Sequence, residues 1–145
     1  MRAIRTEDYL YIVNFKTERE PMGDLLKLTE KKPPTFDQLN NNTRVTYADV
    51  DAGPTKAFFV KNRNNPKYQL HWNLGFGPRT SEELYDLKSD PHQMKNLAST
   101  PELEATRSKL RAQLFTELTK HNDPRLDGDQ FDYPPYCKIG LPKED

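Results

Sequence analysis

Side chains able to do chemistry are few in this chain, and their spacing is poor. The lone cysteine, Cys137, is followed by Lys138, Ile139 and Gly140. No histidine stands near it to raise its nucleophilicity, so it reads as a structural or idle thiol. His71, His92 and His121 are too far apart in sequence for their spacing to argue for a shared metal. Asp123, Asp127, Asp129 and Asp132 surround Gly128 but lack the alternating ligands and closing glutamate of a calcium loop, so a polar turn is expected. Glu82 and Glu83 are neighbours on an expected strand and must point to opposite faces, which rules them out as an acid–base pair. No Gly-x-Ser-x-Gly elbow, phosphate-binding loop or His-Glu-x-x-His helix occurs. This inventory does not describe a self-contained enzyme.

The elements that would carry these residues begin with a hairpin. Residues 1–5 are extended, Thr6-Glu7-Asp8 supplies a turn, and residues 9–15 alternate with Tyr9, Tyr11, Val13 and Phe15 on one face. Residues 16–43 are charged and broken by prolines and read as a long surface excursion. Within it Asn40-Asn41-Asn42 reads as loop, and Lys27, Lys31 and Lys32 as a solvated edge. Thr55 is placed as the N-cap of a short helix over residues 56–62. The run from Pro66 to Arg79 is a loop rich in proline, glycine and aromatics, which can line a carbohydrate cleft or pack onto its own domain. Residues 83–87 form a strand, and a turn through His92-Gln93-Met94 leads to Asn96-Leu97-Ala98. The last element is a helix from Pro101 to about Lys120, capped by Thr100, with Leu103, Leu110, Leu114 and Leu118 along one stripe and Phe115 beside them. His121-Asn122-Asp123-Pro124 ends it, and residues 133–145 form an irregular tail.

Composition restricts the function classes further. The chain has 145 residues with 22 basic and 22 acidic side chains, a balance that suits neither a nucleic-acid binder nor a polybasic membrane anchor. Its apolar fraction, glycine included, is about 38%, below the roughly 45–50% of ordinary domains. Twelve prolines and a mean hydropathy of −0.98 point the same way. Such a chain has little with which to build a self-sufficient core, and a piece that leans on a larger partner surface is expected. No run is apolar enough to span a membrane, and the first residues have no signal-peptide pattern. A strand opening at residue 1 is what a two-part fold cut at an internal methionine would show.

Several segments taken in order resemble a known family. Residues 1–12, Gly53-Pro54-Thr55-Lys56-Ala57, the run Glu82-Glu83-Leu84-Tyr85-Asp86-Leu87 with Asp90-Pro91 and Asn96-Leu97-Ala98, and Asp123-Pro124-Arg125 resemble the C-terminal subdomain of type I sulfatases, in the heparan-N-sulfatase-like branch. The most specific part is Glu-Glu-Leu-Tyr-Asp-Leu, then Asp-Pro, then Asn-Leu-Ala. The resemblance covers residues 1–132, and it implies a parent with a large catalytic domain of alkaline-phosphatase type. In that domain a (Cys/Ser)-x-Pro-x-Arg motif yields formylglycine, and calcium held by Asp and Asn polarises the sulfate. This chain departs from it at the decisive place: Cys137 lacks the motif, and Ser89-Asp90-Pro91-His92-Gln93 has glutamine where arginine is required. No catalytic, cofactor-binding or metal residue carries over.

The expectations are therefore concrete. The fold is α+β: a small antiparallel sheet from residues 1–5, 9–15 and 83–87, joined by Val45–Tyr47, with the long C-terminal helix packed across it. The function is that of a sulfatase C-terminal subdomain, inactive alone. It would complete the fold and the cleft for sulfated sugars, with His71, Trp72 and Arg79 as candidates for the substrate edge. Its partners would be a sulfatase catalytic domain carrying formylglycine and calcium, and a sulfated carbohydrate; no nucleic acid and no membrane are expected. By the same resemblance, parents of this kind are often periplasmic or secreted. The competing reading is a stand-alone binding or interaction module that reuses the subdomain.

Overall fold

The computed structural model describes residues 1–23, 25, 28 and 32–127. Its described residues divide into two compact units, residues 1–17 with 79–127, and residues 18–78.

The first unit is a three-stranded antiparallel sheet and a helix. Strands β1 (Arg2–Arg5), β2 (Tyr9–Val13) and β3 (Glu82–Asp86) lie in that order, with Ile4 opposite Tyr11 and Tyr11 opposite Leu84. Thr6 closes the hairpin: its N–H donates to the Tyr9 carbonyl, and its hydroxyl accepts from the Tyr9 N–H. Period-two alternation puts Tyr11, Val13 and Leu84 on one face, where they bury against Leu110, Leu114 and Leu118 of α4 (Glu104–Lys120). Those leucines recur every four residues, the spacing that aligns one helical stripe. A 3₁₀ turn over Pro101–Leu103 precedes α4, and Thr100 makes no side-chain cap bond there, contrary to expectation.

The end of α4 follows from its residues. Asn122 takes a positive φ of 50°, its N–H donates to the Thr119 carbonyl, and the Asp123 N–H donates to the Leu118 carbonyl. This is the Schellman closure, which satisfies carbonyls the helix leaves open. The Asp123 carboxylate then accepts from Arg2 Nε at 2.6 Å, tying the helix end to β1.

The second unit is built from short helices around Leu39, Val45, Tyr47, Ala57, Val60 and Phe76. Helix α1 (Phe36–Asn41) starts at a complete capping box between Thr35 and Gln38. Expecting loop at Asn40-Asn41-Asn42 missed this helix. Helix α2 (Pro54–Lys61) begins two residues earlier than expected: Gly53 is its N-cap and Pro54 its first residue, not Thr55 as cap. The stretch from Pro66 is a 3₁₀ turn (Pro66–Tyr68) followed by α3 (Gln69–Gly75), where a loop was expected. Asn65 caps the turn by accepting from the Lys67 N–H, and Trp72 stacks on Phe76 one helical turn on, centroids 4.5 Å apart.

Val45–Tyr47 does not join the sheet. It is irregular and belongs to the second unit, because Tyr47 adopts a φ of +47°, incompatible with a strand, and packs its ring edge-on against Trp72 and Phe76. No helix among the described residues is long and apolar enough to cross a membrane. Cys137, Gly128, Asp129, Asp132, Lys27, Lys31 and the tail of residues 133–145 lie outside the described residues.

Candidate functional site

In the first unit the polar side chains converge on Glu82. Its position on β3 places it on the helix-facing side of the sheet, two residues from Leu84, while Glu83 points to the other side. Glu82 accepts from the Tyr11 hydroxyl and pairs with Arg107 at 3.1 Å and Arg111 at 3.2 Å, both on α4. Arg107 also grips Glu104 through Nη2 and donates to the Ala98 carbonyl. Arg111 lies over the Phe115 ring, 4.5 Å from its centroid. Burial, and then the Glu82 hydrogen bond, push the Tyr11 hydroxyl above the usual phenol range.

An open groove of about 700 Å³ runs beside this cluster, lined by Asn14, Phe15, Glu82, Arg107, Arg111 and Phe115 among others. Each charge along it already has a partner of opposite sign, so the cluster fastens α4 to the sheet. On the opposite face Glu83 accepts from Tyr85 and Asn14. The two adjacent glutamates thus face apart, as their strand position requires. Burial, and then Glu83, raise the Tyr85 hydroxyl far above its ordinary range.

The conspicuous run from Glu82 to Ala98 does structural work. Asp86 Oδ1 accepts from the Lys88 and Ser89 N–H groups, and Asp90 Oδ2 from that of Lys95. Asn96 Oδ1 accepts from the N–H of Leu84 and of Ala98, while its amide nitrogen donates to the Glu82 carbonyl. The Leu97 N–H adds a bond of 2.7 Å to the Leu84 carbonyl. Asparagine at 96 therefore covers the free edge of β3, which a side chain without both an acceptor and a donor cannot do.

The second unit contains a residue that sequence reading passed over. Lys56, in the first turn of α2, is 1% exposed, and its Nζ donates to the carbonyls of Thr43, Tyr47 and Val50 at 2.7, 3.2 and 2.9 Å. Burial pushes its ammonium down to about 8, with the Asp51 charge pulling the other way. Burial and Glu20 push the Tyr47 hydroxyl up to about 12, against the pull of Arg63. The only prior sign of Lys56 was a lysine inside an otherwise apolar helical run.

Of the three candidate edge residues, His71 is exposed on α3 and Trp72 is half-buried beside it, with its ring engaged by Tyr47 and Phe76. Arg79 is half-buried in the first unit. The three are thus split between the two units. His92 sits in an exposed turn, and His121 follows α4, 3.6 Å from Glu117. Among the described residues no three His, Cys, Asp or Glu side chains could together hold a metal ion.

Comparison with known proteins decides the relationship. Over 124 residues, 85% of this chain, the sequence is 31% identical to the ulvan-active sulfatase of Formosa agariphila. The chain is related to a sulfatase. It spans 17% of that sulfatase's length. No family model and no solved structure matches it. The resemblance implies formylglycine and calcium, and each would need its own residues here. The described acidic and histidine side chains supply no calcium cluster, and Gln93, in a turn with a φ of +54°, stands where the nucleophile motif needs arginine. The described residues do not fit either group.

Proposed function

We propose that this sulfatase-related chain serves as the C-terminal subdomain of a type I sulfatase of the heparan-N-sulfatase-like branch. In this reading it completes the fold and the substrate cleft of a catalytic domain that carries formylglycine and calcium, and it does not hydrolyse sulfate esters or sulfamates alone. The observation that carries the reading is the 31% identity to a sulfatase over 85% of the chain. The α+β architecture, a three-stranded sheet with a long final helix, is consistent with it. The substrate class is a sulfated sugar, with ulvan, for which the matched relative is named, as the first to try. His71, Trp72 and Arg79 are the residues proposed to edge the cleft.

The test is sulfate release from sulfated oligosaccharides of ulvan and from an N-sulfated glucosaminide. The chain is assayed alone and then joined to the catalytic domain of a type I sulfatase. Release by the joined protein and none by the chain alone is expected, and preference for the N-sulfated substrate would place it in the heparan-N-sulfatase-like branch. Turnover by the chain alone contradicts the proposal. A monodisperse chain that binds the sugars but adds nothing to a catalytic domain would make it a stand-alone module instead.

A further inference from the structure

A buried lysine normally finds a carboxylate or loses its proton. Among the described residues no carboxylate lies within ion-pair distance of Lys56 Nζ, and three backbone carbonyls meet it instead. An alkylammonium has three N–H donors, and this cage offers one oxygen for each. The cage is also braced apart from the lysine. The Val50 N–H donates to the Tyr47 carbonyl at 2.9 Å, and the Ala52 N–H to the Thr43 hydroxyl at 3.0 Å. The turn that brings these oxygens together passes through Tyr47 in its left-handed conformation, whose ring meets Trp72 and Phe76.

We propose that the Thr43, Tyr47 and Val50 carbonyls form a cation site in which Lys56 is a tethered ligand, and that shortening Lys56 opens it to a free primary alkylammonium. Three features set the ligand class. The site demands a cation with three convergent donors, which an alcohol does not have. It lies at the end of the channel occupied by the lysine methylenes, so a short aliphatic chain must accompany the charge. An inorganic cation would fill the cage and leave that channel empty. For Lys56→Ala the atoms removed are three carbons and the amine, and n-propylammonium replaces them. The inference does not depend on the sulfatase reading.

The experiment uses the full chain carrying Lys56→Ala at pH 7, with equal concentrations of n-propylammonium chloride, propan-1-ol or potassium chloride. The readouts are the thermal midpoint and the fluorescence of Trp72, the single tryptophan. n-Propylammonium is expected to raise the midpoint by roughly 4–8 °C and to return the emission to that of the unsubstituted chain, which itself does not respond. The alcohol and potassium leave the variant unchanged. Equal rescue by propan-1-ol would show an apolar void and overturn the proposal, as would no rescue at all. If the variant does not fold under any condition, the unsubstituted chain decides. A ¹H–¹⁵N spectrum at pH 6.5 should show one lysine NH₃⁺ signal exchanging much more slowly with water than the rest, and its absence would overturn the proposal.

Discussion

The two units of this chain are held together in different ways. In residues 1–17 and 79–127 a sheet face and a leucine stripe meet over a shared apolar layer, with polar side chains finishing the margins: Asn96 along β3, Glu82 between sheet and helix, Asp123 at the helix end. The described residues of 18–78 form no sheet and only short helices. Their core combines Leu39, Val45, Ala57 and Val60 with an aromatic group around Tyr47, beside a lysine buried among carbonyls. The first unit is the regular solution, in which periodicity does most of the positioning. In the second, each short segment is held by contacts from elsewhere in that unit, because helices of six to eight residues do not persist alone.

Substitutions can sharpen or break this contrast. The largest effect is expected from Leu114→Ala, in the middle of the buried stripe. It should cost about 2–5 kcal/mol, read as a lower urea midpoint, and a loss below 1 kcal/mol would mean the stripe is not the first unit's main support. In the second unit Gly77→Ala would set a Cβ 2.8 Å from the Asn73 carbonyl oxygen, a backbone clash no rotamer relieves. A loss of about 1–3 kcal/mol, with a change in Trp72 emission, is expected. Glu82→Gln removes the charge that both Arg107 and Arg111 use. Because Arg111 is half exposed, a cost of about 1–2 kcal/mol is expected in thermal unfolding; an unchanged midpoint would demote the cluster to surface decoration. Thr35→Ala deletes the capping box of α1 for about 1 kcal/mol, with a small loss of helical circular dichroism.

The smallest effect is in acid. The Arg2 hydrogen bond, helped by the Arg125 N–H, holds the Asp123 carboxyl below its ordinary value. The folded chain therefore releases this proton more readily than the unfolded chain. The stabilisation is complete above the unfolded carboxylate value of 3.8 and is lost as pH falls through the lowered one. Asp123→Asn should flatten this part of the acid-unfolding curve.

Legibility in the sequence followed the same division. Strands β1 to β3 and α4 lie within three residues of their expected bounds, because Tyr11, Val13, Leu110, Leu114 and Leu118 repeat at the period of their element. Helix α3 was hidden because glycine, proline and aromatics read as loop; its signal was the four-residue step from Trp72 to Phe76 behind an Asn65-Pro66 start. Val45–Tyr47 read as a strand from its β-branched residues, and only the tertiary packing of Tyr47 reveals the turn. The Glu82 cluster gathers residues from Tyr11 to Arg111, and the Lys56 cage is set by backbone carbonyls, which carry no residue signature. The run from Glu82 to Ala98 carried the resemblance, and its residues cover a strand edge and form turns.

The most direct test of the central claim is the nucleotide sequence immediately upstream of the Met1 codon, translated in all three frames. The account predicts an open frame encoding a sulfatase catalytic domain with (Cys/Ser)-x-Pro-x-Arg, in frame or one shift away. An unrelated gene or a promoter in that position would contradict it.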